Sequence, residues 1–326
     1  AGSDLLADPD HEVRQAAIAG LIQHGGLDGI LKAAEPLKRL LESEHTADRV
    51  SAAHVLRTIE VSSFYQPVLR LLNDEAPEVV IAALQAAGAM STNELLPPVI
   101  YALERPAYRN HAARALIAMG DTVVPLLDKV MGNDSERGSV RSQVPRILSF
   151  INTPAATAVL LHHFGRASSV QRYRIATALA RLRGSNPRLA PNKAQVLTFL
   201  GEELETAYGY LAIRADLARD ERLEALSSAM GDRLSYARRR IFRLLSLIHD
   251  PGTIQTIARN LESSDASVRD NAVEILDDLC ATPIRKSLIN LVDRSPDKAK
   301  LQVVSSDYDL PRRDPEQRLQ ELLHDD

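Results

Sequence analysis

Tryptophan is absent, and Phe and Tyr together make up only 4% of the 326 residues, so the chain has few large rings for one thick mixed core. A single cysteine, Cys280, excludes an internal disulfide and fits a reducing, cytoplasmic setting. Fifteen Gly and 17 Pro are too few for a fibrous or low-complexity chain. Nowhere do about 20 uncharged apolar residues run together, which excludes a bilayer-spanning helix. The opening Ala1-Gly2-Ser3-Asp4 lacks the basic and apolar regions of a signal peptide and reads as a cloning remnant. What the chain does have is 45% hydrophobic residues, mainly Ala and Leu, the strongest helix formers. With 25% charged residues and a mean hydropathy of −0.15, it reads as a folded, soluble protein.

Self-similarity is the dominant pattern. A polar turn leads into a Val-Arg or similar pair, then a small-residue pair, then Leu. Copies stand at Asp8-Pro9-Asp10-His11-Glu12-Val13-Arg14-Gln15-Ala16-Ala17, at Asp48-Arg49-Val50-Ser51-Ala52-Ala53, at Glu78-Val79-Val80-Ile81-Ala82-Ala83 and at Tyr108-Arg109-Asn110-His111-Ala112-Ala113. Weaker copies follow at Val140-Arg141 and Tyr173-Arg174-Ile175-Ala176, and a strong one at Asp265-Ala266-Ser267-Val268-Arg269. Between them, sets such as Leu37, Leu40 and Leu41, or Val68, Leu71 and Leu72, keep a period near 3.6, so each copy predicts two antiparallel helices. Thr153-Pro154 and Thr282-Pro283 read as an N-cap followed by Pro at the first helical position, and Gly120 and Gly165 as helix ends. No strand-like alternation occurs.

A helix pair of this size cannot bury its apolar face alone; stacking completes the core, and Ala pairs let helices approach closely. The expected fold is an all-α solenoid of hairpins. The pattern resembles HEAT repeats of the short bacterial type also found in phycobilin-lyase-like proteins, over roughly residues 4–182 and 250–292. Residues 183–249 read as a longer helical hairpin packed into the solenoid, 293–313 as a polar linker, and 314–326 as the start of a further repeat. Ending at His324-Asp325-Asp326, the sequence reads as an excerpt of a longer polypeptide.

Charge is segregated. The net charge of −4 divides into −5 over residues 1–165, +7 over 166–243 and −6 over 244–326. Arg238, Arg239, Arg240 and Arg243, with Arg172, Arg174 and Arg181, form the candidate docking surface for an anionic partner, since the arginine fork binds carboxylate or phosphate bidentately. The partner classes are an acidic protein or a neighbouring domain of the same polypeptide, with anionic lipid or a nucleotide phosphate as alternatives. Against these stands a plain structural reading, solvated faces and ion pairs to Glu202, Glu203 and Glu205. Nucleic acid is disfavoured: the pI is near 6.2, and no aromatics interleave with the arginines. Arg14, Arg109, Arg141 and Arg269 recur at one repeat phase near Asp10 and Asp265, which reads as an Arg–Asp ladder between stacked repeats.

Catalytic and metal signals are weak, and no cofactor is expected. None of the nine histidines forms a His-Glu-x-x-His pair, and adjacent His162 and His163 point to different helix faces. Cys280 follows an apolar stripe and reads as a buried small hydrophobe. Glu202, Glu203 and Glu205 near Tyr208 and Tyr210 read as an exposed acidic stripe rather than an acid–base set. No glycine-rich phosphate cradle or nucleophile elbow is present.

A second resemblance rests on Arg240-Ile241-Phe242-Arg243-Leu244-Leu245-Ser246-Leu247-Ile248-His249-Asp250-Pro251 and on Asn271-Ala272-Val273-Glu274-Ile275-Leu276-Asp277-Asp278-Leu279. These look like the HEAT region of large bacterial fusions that join a major-facilitator or ATP/ADP-translocase-like membrane domain to HEAT repeats, often with a cyclic-nucleotide-binding domain. That resemblance implies a cytoplasmic regulatory or coupling module beside a transporter, without enzymatic activity. The alternative is a HEAT-type enzyme, a phycobilin lyase or a DNA glycosylase.

Overall fold

Residues 4–280 and 283–324 are described by the computed structural model; Thr282, the cap expected ahead of Pro283, lies outside them. Those residues are helical and contain no strand, the all-α solenoid of hairpins that the repeat pattern implies. The chain forms two compact units, Ala1–Val159 and Leu160–Asp326. The division falls inside the helix Pro154–Phe164, well before the boundary near residue 182 expected from the repeat pattern.

In the first unit the helices are α1 (His11–His24), α2 (Gly26–Glu42), α3 (Thr46–Ile59), α4 (Tyr65–Leu72), α5 (Pro77–Met90), α6 (Leu96–Ala102), α7 (Arg109–Ala118), α8 (Val124–Gly132), α9 (Gly138–Arg141) and α10 (Val144–Ile151). Helix α1 packs on α3, α3 on α5, α5 on α7 and α7 on α10, while α2, α4, α6 and α8 pair with their sequence neighbours. This next-but-one stacking is what the Ala pairs permit. Ala52, Ala53, Ala82, Ala83, Ala112 and Ala113 are buried, and so are Leu56 and Leu116, one turn after their pairs, and Leu84, directly after its own. Contact between α5 and α7 is so close that a Cβ on Gly88 would lie 2.9 Å from the Ala115 Cα. The first Ala pair differs. Ala16 is exposed and Ala17 half-buried, and α1 buries Ile18, Ala19 and Ile22 instead.

The ends of these helices share one device. Glu60, Ser91, Gly120 and Asn152 all take left-handed backbone, with φ of 53°, 52°, 62° and 59°. Each directly follows α3, α5 or α10, or closes the turn after α7, and reverses the chain into the next helix. Only one of the four is Gly, the residue that accepts this conformation without a Cβ penalty.

The second unit begins within α11 (Pro154–Phe164) and continues through α12 (Ser169–Ser185), α13 (Lys193–Leu217), α14 (Glu224–Leu245), α15 (Pro251–Asn260), α16 (Ala266–Leu279), α17 (Arg285–Val292), α18 (Asp297–Val303) and α19 (Pro315–His324). The long hairpin α13–α14 is its centre. Helix α14 also touches α12 and α15, and α13 carries α17, α18 and α19. One expectation is corrected here. The 293–313 segment is not an irregular linker: it holds α18, whose Lys300 is buried, as is the following Val304. Helix α19 folds back on α13, where Arg318 pairs with the buried Asp216 at 2.9 Å. No described helix is long and apolar enough to cross a membrane.

Candidate interaction surface

Helix α14 buries Met230, Leu234, Ala237, Ile241, Leu244 and Leu245 along one face. Arg240 flanks Leu244, about 40° away at the edge of that face on the helical wheel, and its side chain enters the core. It is 2% exposed, and its Nε donates to Glu203 Oε2 at 2.7 Å. Glu203 on α13 is fully buried and also accepts from Arg172 of α12 at 3.4 Å. One carboxylate thus ties three helices together. Burying such charges is tolerable only when they are paired and hydrogen-bonded. The docking assignment of Arg240 is therefore corrected, and so is the exposed acidic stripe, because Glu203 points inward. Arg172 is also engaged: its guanidinium donates to the Ala167 and Gly165 carbonyls at 3.0 and 2.8 Å and lies over the Phe164 ring.

The opposite face of α14 carries Asp232, Tyr236, Arg239 and Arg243 at spacings of four, three and four. Tyr236 is 57% exposed, and the Arg239 guanidinium lies 5.4 Å from its ring centroid. Arg243 is half-buried. On α12 the exposed residues are Val170, Tyr173, Arg174 and Arg181, against a buried face of Ile175, Ala176, Leu179 and Leu182. Helices α12 and α14 pack together, and Arg183 at the end of α12 donates to the carbonyls of Ser246 and His249 just past the end of α14. The two helices therefore run parallel with their C-termini level. At 1.5 Å per residue, the Tyr173–Arg181 stretch lies beside Tyr236–Arg243. Arg238 does not belong to this surface; it is half-buried on the flank of α14, where Glu262, Arg214 and Arg294 bear on its charge.

The second expected set also changes its role. Arg14 donates to the Asp8 and Pro9 carbonyls, Arg109 to Leu103 and Glu104, and Arg269 to Ser263 and Ser264. Arg49, which the sequence pattern did not single out for this role, holds Ser43 and Glu44 in the same way. Each guanidinium reaches back five and six residues and clamps the turn that delivers the chain into its own helix. Arg141 is the variant, bound to the Asp134 carbonyl at 3.5 Å and its carboxylate at 3.2 Å. Asp10 and Asp265 are N-caps, accepting from the Glu12 and Ser267 amides at 2.8 and 2.9 Å. The Arg–Asp ladder between repeats is thus replaced by Arg-to-carbonyl clamps. One Arg–Asp pair does join successive hairpins: Arg49 grips Asp74 bidentately at 2.7 and 2.9 Å. The Arg49 hydrogen bond, opposed by partial burial, holds the Asp74 carboxyl below its ordinary range.

The remaining reactive residue types are accounted for by packing. The Tyr208 hydroxyl donates to the Ser287 carbonyl at 2.7 Å, accepts from Asn290 at 2.8 Å, and its ring stacks on Tyr308; burial raises its pKa. Burial pushes the Cys280 thiol up to about 11, which keeps it protonated and unreactive at neutral pH. His162 and His163 meet edge to face, and among the described residues no three His, Cys, Asp or Glu side chains converge to hold a metal ion.

A family description, HEAT repeats, matches residues 96–180, from the start of α6 into α12. The match covers only this stretch, well under half of the chain. No curated protein matches the sequence. Among solved structures, a crystal structure of an engineered protein is 18% identical, covers 56% of this chain and 95% of its own, and has a TM-score of 0.30. Importin beta is 13% identical, covers 89% of this chain and 52% of its own, with a TM-score of 0.36. Human deoxyhypusine hydroxylase in complex with glycerol is 16% identical, covers 85% and 94%, with a TM-score of 0.29. Similarities at this level carry no functional argument.

Proposed function

We propose that the chain is a non-enzymatic scaffold that docks an acidic protein surface, or an acidic domain of its own polypeptide, on α12 and α14. The observation that carries this reading is the pair of parallel helices presenting Tyr173, Arg174 and Arg181 beside Tyr236, Arg239 and Arg243. Tyr and Arg are the residue types that concentrate binding energy at protein interfaces, combining rigid apolar area with a planar charged fork. Helical repeats supply extended surfaces of this kind without a pocket. On this reading the module works in the cytoplasm, coupling or regulating a membrane domain, a role the sequence resemblance to transporter fusions supports.

The test is binding of fluorescent poly-glutamate to the full chain, read by anisotropy across a salt series. The Arg239→Glu, Arg243→Glu double variant is expected to lose at least tenfold in affinity, with unchanged helicity and melting temperature. Equal binding by the two proteins would overturn the reading, and so would a preference for phosphatidylserine vesicles over the acidic polypeptide.

A further inference from the structure

Away from the α12–α14 surface, four cations converge around the flank of α14. Arg214, near the end of α13, lies against Gly231 of α14 and grips Asp297 at the start of α18 with bonds of 2.8 and 2.6 Å. One turn along α18, Lys300 is 8% exposed, and its ammonium reaches only the Leu291 carbonyl at 3.1 Å. Arg294, in the turn between α17 and α18, is exposed and makes one long contact, 3.4 Å, to the Ser263 carbonyl. Arg238 is half-buried and hydrogen-bonded to nothing among the described residues.

The balance of charge matters here. Asp297 is taken by Arg214. Asp293 caps its own turn through the Ser295 amide at 2.9 Å, and Glu262 is exposed. Four cations thus face three carboxylates, and Arg238 and Lys300 have no carboxylate bonded to them among the described residues. Burial acts first on each and pulls its pKa down; Glu262 opposes this at Arg238 while Arg214 and Arg294 add to it, and at Lys300 the repulsion of Arg238 is opposed by Asp297 and Asp293. A fold gains nothing by ordering a guanidinium in this way, since desolvating a charge without a partner is unfavourable. A site kept for a ligand has this character, with stability given up locally and recovered on binding.

We propose that Arg238 and Lys300, supported by Arg214 and Arg294, form a binding site for a single compact phosphate group. The rim of Glu262, Asp293 and Asp297 would repel a polyanionic strand or a charged membrane, while a single phosphate monoanion matches the local excess of one positive charge and the bidentate geometry of the guanidinium. The site is distinct from the proposed docking surface, because Arg238 and Arg239 diverge by about 100° around α14.

Inorganic phosphate titrated into the full chain, against chloride at matched ionic strength, tests this by calorimetry and thermal melting. Saturable binding is expected, with a melting temperature raised by phosphate and not by chloride. Arg238→Met and Lys300→Met should each weaken binding at least tenfold, Arg238→Lys should retain part of it, and Arg239→Gln should leave it intact. In phosphate-free buffer Arg238→Met should melt no lower than the parent chain, which also secures the test against a folding defect. Stabilisation by phosphate no greater than by chloride would overturn the proposal; so would full phosphate binding by Arg238→Met, or a phosphate-free Arg238→Met protein that melts lower. Heparin binding left unchanged by Arg238→Met is expected, because a polyanion would use the α12–α14 face.

Discussion

The two units of this chain solve the same packing problem with different materials. In the first, the buried polar residues among those described are Ser51, Thr92, Ser149 and Thr157, none of them charged. Its helices approach through Ala and Gly, and the Arg49–Asp74 link between hairpins is largely covered but not fully buried, with side chains 12% and 11% exposed. In the second, Glu203, Asp216, Arg240 and Lys300 are all buried; Glu203 collects arginines from α12 and α14, and Asp216 collects Arg318 from α19 and Arg219 from the turn after its own helix. Uniform repeats can stack by shape alone, since every interface repeats the last. The longer α13–α14 hairpin and the returning helices α18 and α19 have no such template, and directional charge pairs fix which helix sits where. That division of labour makes the two units fail differently.

The largest effect should come from Glu203→Ala. It leaves Arg240 buried without a carboxylate and removes a partner of Arg172, which for a broken buried pair costs about 3–5 kcal/mol. Chemical denaturation should show the second unit's transition collapsing while the first unit's is retained. Next comes Gly88→Ala in the first unit. The new methyl would meet the Ala115 backbone at 2.9 Å, and α5 and α7 must separate. The expected loss is about 1–3 kcal/mol, as for an overpacked core, and a measured gain would mean the α5–α7 approach is looser than described. Glu60→Gly acts in the opposite direction. It relieves a left-handed residue and should stabilise the first unit by about 1 kcal/mol or less, read as a higher denaturation midpoint.

The smallest effect is a pH dependence. Asp74 has a folded pKa below its unfolded value, so its contribution is present above roughly pH 4 and disappears as pH falls through the folded value. Asp74→Asn should flatten the acid limb of the first unit's stability curve and leave pH 7–8 behaviour parallel to the parent. An unchanged acid limb would show that the Arg49 contact does not persist in solution.

The same contrast explains what was legible in advance. The Ala pairs at 52, 82 and 112 revealed the hairpins because small residues at one phase have a single physical use, close helix contact. The register of Arg14, Arg109 and Arg269 was equally visible, but not their partners, since backbone carbonyls carry no letter in a sequence. Read as a charge run, Arg238 to Arg243 hides the position of Arg240, which the helical wheel sets at the edge of the apolar face, next to Leu244. Glu203 was open to the same reading from Leu200, Leu204 and Ala207. Helix α18 had no such signal. A seven-residue helix bearing Asp297, Lys298 and Lys300 looks like a solvated linker until α13 supplies the surface that buries it.

The arginine clamps have a mechanical consequence. Each one fastens the turn that enters a helix to the first coil of that helix, at Arg14, Arg49, Arg109 and Arg269 alike. Corners braced in this way cannot act as hinges. Any bending under load must be shared as slight sliding along the Ala-lined helix flanks, so a stack of this kind should deform like a leaf spring and return to its starting form when released.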